Sequence, residues 1–133
     1  MEDKTPFIQQ FKVRDYECDM QGIVNNANYQ HYMEHARHEF LIANGLDFAR
    51  LTTEGVILVV KRIEIDYMAS LRSGDHFTVS CEPFRISPLR FGFKQEIMRL
   101  PDNKPIVTGI VTATSINTKG RPFLPPQIDL LFP

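Results

Sequence analysis

Between Val13 and Tyr29 the chain reads Val-Arg-Asp-Tyr-Glu-Cys-Asp-Met-Gln-Gly-Ile-Val-Asn-Asn-Ala-Asn-Tyr. It offers the acidic residues Asp15, Glu17 and Asp19, then Gly22, then asparagines suited to opening a helix. A helix start leaves backbone N–H groups without intrahelical acceptors and carries the positive end of the helix dipole. Such a group of donors can hold a carbonyl oxygen as negative charge develops on it. An aspartate, with an ordinary pKa of about 3.9, is ionised at neutral pH. Placed across from that oxygen, it can attack the carbonyl carbon or take a proton from a water that does so. Spacing alone leaves two readings of Asp19, a working carboxylate or a cap and loop stabiliser.

The elements that must position this segment follow from periodicity. Phe7, Phe11 and Val13 give a short strand with one buried face, and Asp15 to Asn28 reads as a structured loop. Tyr29, Tyr32, Met33, Ala36, Phe40 and Ala43 make one apolar stripe at helical spacing, with Gln30, Glu34, Arg37 and His38 turned away from it. Asn26 or Asn28 can cap the start of this helix, and Asn44-Gly45 can close it. It is the only long helix expected.

The rest reads as strands. Val56 to Tyr67 puts Ile57, Val59, Ile63, Ile65 and Tyr67 on one side. His76 to Ile86 is a strand in which Pro83 implies a bulge or an edge, and Arg90 to Arg99 and Ile106 to Asn117 complete the set. The turns are Leu71 to Asp75 and Pro101 to Lys104, and the proline-rich tail is kept out of the sheet interior. Short connections favour antiparallel neighbours. One helix covers only part of one face of such a sheet. The last strand is apolar on both sides, through Ile106, Ile110 and Ile116 on one and Val107, Val111 and Ala113 on the other, so a homo-oligomer is expected. The fold class is α+β, in a single domain over residues 1–133.

Composition bounds the function. Fifteen basic and sixteen acidic residues give a formal net charge of −1, and no basic stripe marks a nucleic-acid surface. No stretch approaches the roughly 20 apolar residues that span a bilayer. The charged start, Met1-Glu2-Asp3-Lys4, is unlike a signal peptide, so a cytosolic protein is expected. Cys18 and Cys81 fit no zinc or redox spacing and read as reduced and structural, with Cys18 as a thiol nucleophile the minor alternative. His31 and His35 share a helix face, but no third ligand suggests itself, so no metal is expected. Glu34 and His38 fit a surface pair.

The loop-helix segment resembles the 4-hydroxybenzoyl-CoA thioesterase-like group of the hotdog superfamily. That group shows an acidic loop residue, Gly-hydrophobic-Val, Asn-Tyr opening a long helix, then Glu and Ala-Arg. Here these are Asp19, Gly22-Ile23-Val24, Asn28-Tyr29, Glu34 and Ala36-Arg37. Val24-Asn25-Asn26 is also similar to long-chain acyl-CoA and plant acyl-ACP thioesterases. Ile65 to Asp75 and Lys119 to Pro122 resemble the family's central strand and closing turn. The resemblance implies a curved antiparallel sheet of five or six strands around one central helix, in dimers or tetramers with active sites at the subunit interface. It implies hydrolysis of an acyl-CoA or acyl-ACP thioester, with no cofactor beyond the CoA or phosphopantetheine of the substrate. The catalytic carboxylate falls on Asp19 and the oxyanion donor on the backbone N–H of Asn26. Arg85 and Arg90, flanking a loop between strands, fall where relatives meet the nucleotide, with Lys61 and Arg62 weaker candidates. Many relatives carry Tyr-His where this chain has Asn25-Asn26, and the plant enzymes carry His at Ile23, so histidine-assisted chemistry is not expected here. A non-catalytic acyl-CoA-binding protein is the alternative.

Overall fold

The computed structural model describes residues 7–132. The elements are β1 (Phe7–Lys12), α1 (Asn26–Ala43), α2 (Phe48–Thr53), β2 (Ile57–Tyr67), β3 (His76–Ser87), β4 (Arg90–Leu100), β5 (Lys104–Ile116) and β6 (Pro122–Phe123), with 3-10 turns at Asp15–Glu17 and Pro126–Leu131. All strands join one antiparallel sheet in the order β1-β3-β4-β5-β2, and β6 pairs with the end of β5. The sheet wraps α1, as the hotdog resemblance implies. No helix among the described residues is long and apolar enough to cross a membrane.

The core lies between α1 and the inner face of the sheet. Tyr29, Tyr32, Met33, Ala36, Phe40 and Leu41 of the helix are buried, facing Phe77, Phe93, Ile97, Val107 and Val111. Ala43, at the helix end, is exposed instead. Phe11 stacks on Phe77 with ring centroids 5.2 Å apart, and Phe7 meets Phe40 edge-on at 5.5 Å, which fixes β1 alongside the helix. Gly109 lets β5 come close: a Cβ there would lie 2.5 Å from the Met33 side chain.

Four expectations change. The cap of α1 is Asn25, one residue before the two candidates, because its Oδ1 accepts the Ala27 N–H at 3.0 Å. Arg37 is not on the solvent face: it is 7% exposed, and its guanidinium donates to Gln95 at 3.0 Å. The sheet curls far enough around α1 to cover it, and Gln95 supplies the acceptor that a buried cation needs. In β2 the register shifts between Val60 and Arg62, leaving Lys61 as an extra residue. A bulge reverses which side chains face in, so Leu58, Ile63 and Ile65 pack on the core while Ile57 and Val59 do not. Finally, α2 and the turn at Pro126–Leu131 add cover that no periodic stripe announces, burying Leu51, Ile128 and Leu131. Pro83 keeps its place opposite Phe93, without a bulge there, and lies beyond Cys81, which pairs with Phe7, the first described residue of β1. The residues that would decide whether it is at an edge lie outside the described residues.

Candidate active site

The acidic loop is a narrow hairpin stitched to the head of α1. Cys18 and Val24 form an antiparallel bridge, the Asp19 N–H donates to the Ile23 carbonyl at 2.8 Å, and the Gly22 N–H donates back to the Asp19 carbonyl at 3.0 Å. Gly22 sits at φ +80°, a left-handed conformation that glycine adopts freely. The hairpin is anchored on a second loop, since the Val24 N–H donates to Leu71 and Ile23 bridges Arg72. The Tyr29 hydroxyl accepts the Leu71 N–H at 3.0 Å from the first turn of the helix, and its burial holds the phenol pKa up. A third tie comes from Glu17, whose carbonyl oxygen accepts both the Asn25 N–H at 3.0 Å and the Asn28 side-chain amide at 2.8 Å.

Asp19 stands exposed on this hairpin. Its Oδ1 accepts the Gln21 N–H at 2.8 Å, and its second oxygen has no partner among the described residues. The helix tip beside it is selectively satisfied. The Ala27 N–H is taken by the Asn25 side chain and the Asn28 N–H by the Asn25 carbonyl at 2.9 Å, while the Asn26 N–H has no acceptor among the described residues. A carboxylate with one free oxygen and a helix-tip amide with no acceptor therefore sit on adjoining, mutually braced segments. A free carboxylate oxygen can attack a carbonyl carbon or take a proton from water, and a free amide N–H can donate to a carbonyl oxygen.

Neighbouring acids do other work. Asp15 accepts from the Ser73 hydroxyl, and Glu17 Oε1 accepts the Arg14 N–H at 2.8 Å. Tyr16 is exposed, its hydroxyl accepts from Arg14 at 2.7 Å, and it borders neither of two cavities. Asp15 and Glu17 border the larger, a groove of about 830 Å³ between β1 and α1, shared with Lys12, His31, Tyr32 and His35. The buried Tyr32 hydroxyl has no hydrogen-bond partner there, and burial first, then the Glu17 carboxylate, hold its proton on. Asp19 borders neither this groove nor a smaller pocket of about 160 Å³ under Arg37. Burial first, then Asp15, Asp19 and Glu17, raise the Cys18 thiol pKa, which disfavours the thiolate that a nucleophile needs. No group of three or more potential ligands among the described residues is placed to hold a metal.

The remaining candidates are scattered. Arg85 is engaged: it pairs with Asp129 at 2.6 Å and lies 4.2 Å over the Phe132 ring, fastening the end of the chain to β3. Arg90 has no ion-pair partner among the described residues and stands at the start of β4, opposite Ser87. Arg62 pairs with Glu64 at 3.4 Å, and Lys61 is the bulge residue. His35 pairs with Glu39 at 3.9 Å, in place of the expected Glu34–His38 pair. The sequence reading missed Asn28 as a brace and Gln95 as a partner of Arg37. The first has a local signal, an asparagine in a first helical turn, but the second partners lie 58 residues apart.

Comparison with known proteins gives a consistent picture. A family model described as the thioesterase-like superfamily matches residues 13–131. A chloroplast acyl-acyl carrier protein thioesterase of Arabidopsis thaliana is 40% identical over 113 residues, covering 85% of this chain and 60% of that protein. The long-chain acyl-CoA thioesterase FadM of Escherichia coli is 28% identical over 112 residues, covering 84% of each. The crystal structure of a 1,4-dihydroxy-2-naphthoyl-CoA thioesterase from Synechocystis superposes with a TM-score of 0.89 over 96% of both chains, at 18% identity, a likeness of fold. The chain thus spans about 60% of the length of the Arabidopsis relatives it matches.

Proposed function

The chain belongs to the thioesterase-like superfamily, and from that premise we propose that it hydrolyses an acyl-CoA or acyl-ACP thioester to a free acid and a thiol. The observation that carries this reading is the free oxygen of Asp19 on a hairpin braced against the unclaimed Asn26 amide. In the proposed reaction the thioester carbonyl oxygen accepts from the Asn26 N–H, whose hydrogen bond strengthens as the carbonyl carbon becomes tetrahedral. Asp19 either adds to that carbon, giving an acyl-enzyme anhydride that water then opens, or takes the proton of the attacking water. In both routes the C–S bond breaks, the thiolate leaves and is protonated, and the acyl carbon gains one oxygen from water. The chemistry calls on no metal or redox cofactor.

The cleft requires a second copy in this reading. Asp19 is open to solvent in the single chain, and oxyanion stabilisation gains from the exclusion of water. β2 supports a homodimer: among the described residues it is an 11-residue edge strand paired on one side only, with Val60 exposed on it and Tyr67 and Met68 exposed at its end. Arg90 is the nucleotide-phosphate contact best placed to serve, because Arg85 is already spent on Asp129. A cytosolic location is part of the proposal, and fractionation tests it against the chloroplast setting of the Arabidopsis relative.

The test is thiol release by the purified protein from a panel of acyl-CoA and acyl-ACP thioesters of graded length. Turnover of at least one class is expected. Tight binding across the panel with no thiol released would leave a binding protein in place of an enzyme.

A further inference from the structure

The smaller pocket, of about 160 Å³, lies under the middle of α1, and its walls are mostly apolar: Leu41, Phe48, Leu58, Phe91 and Phe93. One wall is a cation. Arg37 is 7% exposed, and no carboxylate among the described residues lies within ion-pair distance of it. Its one hydrogen bond goes to Gln95 Oε1, and Gln95, fully buried, turns its own amide N–H to the Met33 carbonyl at 2.9 Å. Gln95 is neutral and fills one of the five guanidinium N–H positions. An arginine cannot escape by losing its proton, so a buried guanidinium needs further acceptors. Burial does pull the Arg37 pKa down, with Cys81 and Glu34 acting against it.

The place of Arg37 relative to the site is telling. It comes 11 residues after Asn26, three helical turns, which is about 16 Å along the axis and within roughly 20° of the same line on the helix. A chain whose carbonyl oxygen rests on the Asn26 amide and which runs along this side of α1 ends at Arg37. Between the two, Met33 lies within roughly 20° of that line and is buried, while Gln30, about 40° off it, is exposed. Such a chain therefore runs on the Gln30 side, under whatever covers the helix, the second copy in the dimer proposed above. The pocket itself has the volume of about five waters at ~30 Å³ each, enough for the last few atoms of an acyl group.

Building on the thioester reading, we infer that this pocket seats the far end of the acyl group and selects acyl chains bearing a neutral hydrogen-bond-accepting oxygen there, a hydroxyl or a ketone. A bare methyl end would press hydrocarbon onto the guanidinium and leave its N–H groups desolvated without acceptors. A terminal carboxylate would pair with Arg37 but meet Glu34, which also borders the pocket. Sites built to hydrogen-bond a substrate oxygen reject the analogue lacking it far more strongly than apolar pockets reject a change of one methylene.

The experiment compares kcat/KM for plain, ω-hydroxy and ω-carboxy acyl-CoAs over a range of lengths, with the affinity of the corresponding free acids measured in parallel by displacement of a fluorescent fatty acid. At one length the ω-hydroxy substrate is expected to exceed the plain one by at least about tenfold, with the same order in the acid affinities. Arg37→Met should bring the hydroxy-to-plain ratio near one. The ratio within a single variant does not depend on how much of it is folded, and Gln95→Leu, which leaves the guanidinium in place, should keep the preference. Equal ratios in the wild type at every length, or a preference for the carboxylate, overturn the inference. If no thioester is cleaved, the hydrolase reading falls, and the acid affinities still decide the pocket.

Discussion

Glu17 holds the acidic loop through its backbone as well as its carboxylate: its carbonyl oxygen receives both Asn25 and Asn28, and its Oε1 receives the Arg14 N–H. The side chain of Asn28 is thus a positioning group, with its own carbonyl oxygen 3.2 Å from His31. Asn28→Ala should lower kcat by about tenfold or more through loss of alignment, with KM and the circular-dichroism spectrum little changed; an effect on KM alone would contradict this role. Tyr29→Phe leaves the Leu71 N–H without its acceptor in a buried place and should cost about 1–3 kcal/mol in urea unfolding. Burial pushes the Cys81 thiol up to about 12 from its ordinary 9.0. Between those values the unfolded chain releases a proton that the folded chain keeps, so stability should fall as pH rises above 9.0. Part of this scale was readable in advance. Spacing left Asp19 open between a working carboxylate and a loop stabiliser, and its proposed role, like that of the Asn26 amide, comes from the family resemblance. The structure adds that one Asp19 oxygen and the Asn26 N–H have no partner among the described residues. Arg37 was misread because helical periodicity sorts side chains by polarity, and only the distant Gln95 makes a buried arginine tolerable.

At the level of elements, α1 was legible because six apolar residues keep helical phase across it, and five of them are buried as expected. β2 was legible as a strand but not in its facing, since one extra residue at Lys61 reverses the alternation and nothing in the local sequence marks it. α2 escaped because a helix of six residues is too short to show a period, although Asp47 caps it as N-cap chemistry would suggest. Gly92 in β4 marks a close approach: a Cβ there would run into the ring of Phe84. Gly92→Ala should therefore destabilise the sheet by about 1–3 kcal/mol, measured as a lowered urea midpoint with an unchanged slope. An unchanged midpoint would mean that Phe84 swings away freely.

For the whole molecule, the edge of β2, unpaired among the described residues, carries the expectation of a dimer. The outer face of the sheet does not, because Ile110 stands there between Glu64 and Lys94, with Arg62, Asp66 and Glu96 around it. Light scattering should give about twice the mass of one chain, and Val60→Asp should shift it toward monomer and lower thiol release in parallel. A dimeric Val60→Asp protein with full activity would place the interface elsewhere. The antiparallel sheet with one long helix followed from element count and short connections, and its curvature around that helix from the family resemblance. The strand order did not, because β2 crosses from the helix to the far edge beside β5, and only the tertiary packing of α1 decides that. The catalytic assignment itself rests on one side chain. The most direct measurement is single-turnover hydrolysis of the preferred thioester by wild type, Asp19→Asn and Asp15→Asn. The account predicts that Asp19→Asn loses about 10²–10⁴ in rate with substrate still bound, while Asp15→Asn keeps most of it. Wild-type rate in Asp19→Asn would contradict it.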